Sequence, residues 1–416
     1  MRIVIIGGSS FSTPKLLKFL DSEKPPRKME IVLAGKTPER IKAVSRASRL
    51  LIGGQIDVRT ELIHSDNWGK ILDSADAVVI QIRVGGFEAR LFDETFPNKY
   101  RLCGDEGLGV GGLSIGWRTW PVLAPILEAI AKFCPQTSVI LLTSPLGLLV
   151  RASCKYADLN LVGICELPWT ALQDLSQSLG MISSEVQADY LGVNHLGWFF
   201  NIRSGTRDLL NDLAARDLPF PTSQFLRTHR CFPTRYLRMH YQPDLVLTEQ
   251  IAQKTPRAAV LKNIQSWSYE VFGKGQPTEI ARALDARATP WYTEAVGPLL
   301  LAQSGHHVEL PFFVSVPNGT YVSFLEKTDV IESRHHWVQG RLLRSPLTSA
   351  PPRHVVENLE PVVQFERIAT DAIMNRSLKL LGDALSVHPW TRGHPKLESI
   401  VNEIVTTNNS MLSACA

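Results

Sequence analysis

The 416-residue sequence contains no apolar stretch of the ~18 residues that a membrane-spanning helix requires, so no membrane partner is expected. It also lacks paired cysteine spacing. Cys103, Cys134, Cys154, Cys165, Cys231 and Cys415 are scattered, with no CxxC among them. Met1-Arg2 runs straight into an apolar segment rather than a leader. Together these features give the expectation of a reduced, cytoplasmic protein with free thiols. There is no basic block. Lys and Arg number 44 against 40 Asp and Glu, a thinly spread net charge of +4, so nucleic acid is not an expected partner. There is no internal repeat and no low-complexity tract. With 44% hydrophobic and 20% charged residues, the composition excludes a largely disordered chain, a collagen and a small disulfide scaffold. A chain of this length buries a substantial core without staples.

What is present is an alternation of short apolar runs and amphipathic segments. Ile3–Ile6, Ile31–Ala34, Val58–Ile63, Ala77–Ile82, Ser138–Leu142 and Leu161–Ile164 read as buried strands. Between them, Ser12–Leu20, Pro38–Leu51, the stretch around Asn67–Leu72 and Val122–Phe133 read as helices. Near-continuous apolar strands alternating with helices predict an α/β fold with a Rossmann-like, doubly wound parallel sheet. That domain is expected over residues 1–170. Residues 171–416 are expected to form a mixed α+β domain, mostly helical, with strand-like breaks at Trp198–Ile202 and Pro311–Val316. The small, polar tail from Thr406 predicts a frayed end.

The first strand runs into Gly7-Gly8-Ser9-Ser10-Phe11-Ser12-Thr13-Pro14. A tight glycine turn between strand and helix lets backbone N–H groups reach a pyrophosphate, although the full GxGxxG pattern is not met here. A dinucleotide site that favours the unphosphorylated ribose carries Asp or Glu at the end of the second strand. Here that stretch is Ala34-Gly35-Lys36-Thr37-Pro38-Glu39-Arg40, with no carboxylate at the strand end and with Lys36 and Arg40 close by. A cation in that place accommodates a 2′-phosphate, which predicts a bias toward NADP over NAD. The expected cofactor-binding set is therefore Gly7, Gly8, Ser9, Ser10, Phe11, Lys36, Arg40 and Arg83.

Further along stand Gln81-Ile82-Arg83-Val84-Gly85-Gly86-Phe87-Glu88-Ala89-Arg90, then the glycine-rich Gly104-Asp105-Glu106-Gly107-Leu108-Gly109-Val110-Gly111-Gly112, then Arg118-Thr119, read as opening the next helix. Gly163-Ile164-Cys165-Glu166-Leu167-Pro168 and Gly192-Val193-Asn194-His195-Leu196-Gly197-Trp198 follow. In this order and spacing the motifs resemble glycoside hydrolase family 4, the NAD-dependent 6-phospho-glycosidases, from Met1 to about His388-Pro389. The resemblance implies a lactate/malate dehydrogenase-like fold, NAD and a divalent metal, usually Mn²⁺, as cofactors, a small-molecule glycoside substrate, and a homo-oligomer, dimer or tetramer. It implies redox-assisted elimination rather than two-carboxylate hydrolysis. In that scheme hydride leaves C3 of the sugar, a base removes the proton at C2, the aglycone departs from C1, water adds and the hydride returns.

The same resemblance assigns roles to residues. Cys165 and His195 match the family's two protein metal ligands, and thiolate with imidazole suits a borderline divalent ion. Tyr236, in Pro233-Thr234-Arg235-Tyr236-Leu237-Arg238, matches the tyrosine base. A phenol needs its pKa lowered for that task, and Arg235, Arg238 and the metal are the groups expected to do it. Arg90 and Arg287 match substrate-anchoring arginines, whose guanidinium forks suit phosphate or carboxylate.

Departures from the family pattern cluster at the sugar site. The family's Asn-Pro is Ser144-Pro145, and the Asn after the metal cysteine is Glu166. Its Gln-Glu-Thr is Asp105-Glu106-Gly107, and its Arg-Gly-Gly is Arg287-Ala288-Thr289, with Tyr292 kept. The expected substrate-binding set is Arg90, Ser144, Glu166 and Arg287. The reading that follows is a glycosidase acting on a 6-phospho- or otherwise anionic glycoside other than that of the well-studied members. Two alternatives stand beside it: a sugar C3 oxidoreductase, and a non-catalytic or regulatory homologue.

Overall fold

Ile3, Val4, Ile5 and Ile6 are all fully buried, and they divide between two cores. Val4 and Ile6 face one, Ile3 and Ile5 the other. Strand geometry points successive side chains to opposite faces, so a continuous apolar run is what a strand covered on both sides needs. Each such side chain contributes roughly 1.5–3 kcal/mol when fully buried. A computed structural model describes residues 1–415 and shows how the chain supplies both covers.

Six parallel strands form the N-terminal sheet: β1 (Arg2–Ile6), β2 (Met29–Gly35), β3 (Ile56–Leu62), β4 (Ala77–Ile80), β5 (Ser138–Leu141) and β6 (Asn160–Ile164). Their order is β3-β2-β1-β4-β5-β6, the doubly wound arrangement, with the reversal between β1 and β4 where such sheets bind ligands. The sheet does not stop at β6. Beyond it come seven more strands: β7 (Gln187–Val193), β8 (Leu196–Ser204), β9 (Arg207–Asp208), β10 (Cys231–Pro233), β11 (Phe312–Pro317), β12 (Val330–Val338) and β13 (Arg341–Arg344). β11 pairs antiparallel with β6, and the order runs on through β12, β7, β8 and β10. One face is covered by the helices Thr13–Ser22, Pro38–Leu51, Arg257–Lys274, Pro277–Asp285 and Gly297–Gln303. The other is covered by Gly109–Phe133, Leu146–Tyr156, Arg353–Asn375, Leu378–Val387 and Leu397–Cys415. Among the described residues no helix is long and apolar enough to cross a membrane.

Two expectations need correction. The helix expected over Val122–Phe133 begins at Gly109 and runs 25 residues. Its glycines and Pro121 and Pro125 lower its intrinsic propensity, but packing overrides that. A Cβ at Gly111 would lie 2.2 Å from the carbonyl oxygen of Asp105, so the glycines let the helix start press against the preceding loop. Arg118 therefore stands inside this helix and does not open it. It is buried and ion-paired with Asp93 at 2.5 Å. Nor is the tail frayed over its described residues, up to Cys415. Leu397–Cys415 is a helix whose Asn408 is fully buried, bonds Arg118, and donates to Ser114 Oγ at 2.8 Å. Among the tail's described small polar residues, Asn408 alone satisfies buried partners here, while Thr406, Asn409, Ser410 and Ser413 meet solvent on the other side of the helix.

Candidate functional site

The glycine turn joins β1 to the helix Thr13–Ser22. Gly7 has φ of +84°, and a Cβ there would lie 2.8 Å from the carbonyl oxygen of Gln81. At Gly8 it would lie 2.8 Å from Leu33 Cα. The N–H groups of Gly7 and Gly8 donate to the Ala34 carbonyl at 3.0 and 2.9 Å. Distant residues brace the turn. Gln81 Nε2 donates to the Gly7 carbonyl at 3.2 Å and to Thr13 Oγ1 at 2.9 Å, while its Oε1 accepts from the Tyr292 hydroxyl at 2.6 Å. The Tyr269 hydroxyl donates to the Ser9 carbonyl at 2.7 Å. Backbone that close, opening a helix, fits a dinucleotide pyrophosphate. Ser9, Ser10 and Phe11 lie within the turn, and Lys36 and Arg40 are exposed at the end of β2.

Three arginines gather beside it. Arg83, after β4, pairs with Glu106. Arg90, buried in the helix Gly86–Thr95, pairs with Glu94 at 2.6 Å and Glu106 at 2.9 Å. Arg287 is half-buried, and its buried Nε has no hydrogen-bond partner. Its guanidinium lies 4.9 Å from the Trp291 ring centroid and 5.5 Å from that of Phe11. Phe11 meets Phe87 edge-on at 6.3 Å, and Arg83 lies over Phe87 at 5.5 Å. A ladder of aromatic and guanidinium groups thus links the turn to Glu106. Burial opposes a charged Glu106, but Arg83 and Arg90 outweigh it and hold the carboxyl down at about 2. Burial, with Arg83 and Arg90 nearby, pulls Arg287 down to about 10, so it stays cationic at neutral pH. A buried cation with an unpaired donor favours an incoming anion.

Cys165 directly follows β6, His195 sits in the β7–β8 turn with φ of +70°, and Tyr236 lies in the single turn Arg235–Leu237. The rings of His195 and Tyr236 stack, with centroids 4.4 Å apart and planes 7° from parallel. The loop Asp105–Gly107 presses on the imidazole: a Cβ at Gly107 would lie 3.0 Å from His195 Nδ1. Burial lowers His195 to about 4, so the imidazole is neutral, and its Nδ1 is buried without a partner. Burial, then Glu166 and Glu332, push the Cys165 thiol well up. Cys165 Sγ lies 3.5 Å from Glu166 Oε2. Among the described residues no group of three His, Cys, Asp or Glu side chains is arranged around a metal position. A neutral imidazole with an orphaned nitrogen and a nearby thiol fit an open, two-ligand ion, whose remaining positions would be left to other oxygens.

Burial pushes the Tyr236 phenol up, Asp105 adds to this, and Arg235, over the ring at 5.6 Å, opposes it. The expected downward shift is therefore absent in the protein alone. Arg238 does not contribute: it forms a two-pronged pair with Glu249 at 2.8 and 2.6 Å. Asp105 is itself raised to about 7 by burial. Ser144 is half-buried after β5. The adjacent Pro145 lines a small cavity with Gly107, Asn194, Glu366 and His388.

Cys165, His195, Tyr236, Arg90, Arg287 and Glu166 thus border one region, with Arg83 turned toward it, while Lys36 and Arg40 stand apart at the far end of the turn. Sequence reasoning missed several neighbours. Glu332 on β12 accepts from the Tyr190 hydroxyl at 2.6 Å and from Asn194 Nδ2 at 3.2 Å, and burial raises it to about 7. Glu366 is buried and raised by burial to about 8. Gln81 and Tyr269 brace the turn. The one available signal was a charged residue on a strand's buried face, readable only once the strand is known.

Residues 2–181 match the family described as family 4 glycosyl hydrolase, and residues 190–391 match the family 4 glycosyl hydrolase C-terminal domain. The chain is 30% identical to the maltose-6'-phosphate glucosidase of Clostridium acetobutylicum, covering 98% of this chain and 97% of that protein. It is 26% identical to a 6-phospho-beta-glucosidase of Thermotoga maritima, covering 98% of each. In fold it is similar to the solved Thermotoga maritima 6-phospho-beta glucosidase with manganese, NAD+ and glucose-6-phosphate: TM-score 0.86, 22% identity, 99% of each chain. A malate dehydrogenase from Plasmodium falciparum is similar at TM-score 0.50 and 11% identity, over 90% of this chain and 99% of that one.

Proposed function

The chain belongs to family 4 of the glycosyl hydrolases, and on that premise we propose that it cleaves the O-glycosidic bond of an anionic glycoside by oxidation and elimination. The observation that supports this reading is the stack of His195 on Tyr236, with the Cys165 thiol and Glu106 within electrostatic reach of the phenol and Arg83, Arg90 and Arg287 gathered around Glu106. Gly7 and Gly8 would hold the dinucleotide, and Cys165 and His195 a divalent ion such as Mn²⁺. Bound there, these groups supply reversible hydride exchange and Lewis acidity.

The chain's own residues do the rest. Arg287, with Arg90 and Arg83 behind it, anchors the substrate's anionic group and so fixes the sugar. Tyr236 takes the proton at C2. It does so as the phenolate, its own proton having first passed to solvent, and its stack on His195 sets the ring's direction. Glu166, beside Cys165, adds negative charge to the pocket, so an anion is best accepted on the arginine side.

The test is release of aglycone from 6-phosphorylated and carboxylated aryl glycosides, with reduced protein, dinucleotide and Mn²⁺. Release that requires both additions, without net cofactor reduction, is the expected result. Net reduction matching the substrate consumed would identify an oxidoreductase instead. Neither release nor reduction on any anionic glycoside would favour a non-catalytic homologue.

A further inference from the structure

We infer that the dinucleotide site selects a 2′-phosphorylated cofactor, with Lys36 and Arg40 as the partners of that phosphate. The inference rests on the reading that the glycine turn holds a dinucleotide. β2 ends at Gly35, which is buried against the turn: a Cβ there would lie 3.1 Å from Ser9 Oγ. A ribose-binding carboxylate would be carried at this strand end. Gly35 has no side chain, so an unphosphorylated ribose finds no acceptor for its 2′-hydroxyl at that place.

Two cations stand there instead. Lys36 is exposed at the next position, and Arg40 is exposed in the first turn of the helix Pro38–Leu51. Arg40 is anchored, its guanidinium lying 5.3 Å from the centroid of Tyr269. Tyr269 is the residue whose hydroxyl holds the Ser9 carbonyl, so the cation and the turn share one support. A guanidinium stacked on a ring keeps its edge donors free for a phosphate. Of the neighbouring carboxylates, Glu61 pairs with Lys70 at 2.9 Å, and Glu88, which also lies within the field of Arg40, pairs with Lys262 at 2.8 Å. Glu39 is exposed in the same helical turn, beyond the strand end. With Lys36 and Arg40 against Glu39, the rim keeps net positive charge, which a dianionic phosphate neutralises.

The experiment is calorimetric titration of the intact, reduced protein with NADP⁺ and NAD⁺ in turn. NADP⁺ is expected to bind about tenfold or more tightly, the ratio a charge-assisted phosphate contact gives. Lys36→Ala and Arg40→Ala should each shrink that ratio, and Gly35→Asp should turn it toward NAD⁺. Lys36→Ala alters an exposed side chain and keeps the test sound if Gly35→Asp fails to fold. NAD⁺ binding as tightly as NADP⁺ or more tightly overturns the inference and leaves the glycosidase reading standing. Failure of both to bind overturns the two together.

Discussion

The two sides of the site are made of different material. At the glycine turn, recognition is assigned to backbone: the fit comes from two positions where a Cβ has no room and from a helix start. On the other side it is assigned to buried and half-buried titratable side chains drawn from segments far apart in the chain: Asp105 and Glu106, Cys165 and Glu166, His195, Tyr236, Arg287 and Glu332. The turn's own residues are consecutive, although Gln81, Tyr269 and Tyr292 brace them from far along the chain. A pocket of buried charges and neutralised acids costs stability and depends on the whole sheet being assembled. The antiparallel extension explains how that is done. By hydrogen-bonding β11 to β6 and bringing the β7–β8 turn alongside, it places His195 near the strand end that carries Cys165.

The sharpest break in this comparison is Tyr236→Phe. If the pocket does the proton chemistry and the turn only binds, turnover falls by about 10²–10⁴-fold while dinucleotide affinity is kept. Steady-state kinetics beside calorimetry separate the two. Next comes Gly8→Ala, which sets a methyl 2.8 Å from the backbone of Leu33 and Ile5. Dinucleotide affinity should fall by about tenfold or more, with about 1–3 kcal/mol of stability lost to overpacking. Mn²⁺ affinity should survive, read by titration of the same variant.

Arg287→Lys tests the anion side. It keeps the charge and loses the planar stack on Trp291 and Phe11, so KM for an anionic glycoside should rise by about tenfold. A separate effect concerns stability alone. Burial raises the Glu366 carboxyl from its ordinary 4.5 to about 8. Between those values the folded chain keeps a proton that the unfolded chain has released, so Glu366 costs stability as pH rises. Glu366→Gln removes this dependence. Its advantage over the parent should grow by about 1.4 kcal/mol for each pH unit between pH 4.5 and pH 8, read by urea unfolding.

The same contrast governs what was legible from residues alone. β1, the glycine turn and the helix Pro38–Leu51 are local patterns and were readable directly. The helix Gly109–Phe133 was half hidden, because its glycines serve close packing that no local pattern announces. The tail was misread because Asn408 looks like a solvent residue until Arg118 and Ser114 are placed beside it. Cys165, His195 and Tyr236 were found only through resemblance, since an isolated cysteine, histidine or tyrosine carries no signal of its own. Glu332 and Glu366 were not found, because a single acid in an apolar element is visible as buried only after folding brings the sheet and helices together.

If Tyr236 removes a proton from C2 of an oxidised sugar, the isotope content of sugar released in heavy water will show it. Solvent deuterium is expected at C2 in each turnover, with no net change in cofactor absorbance. Sugar released with its original hydrogen at C2 would contradict it.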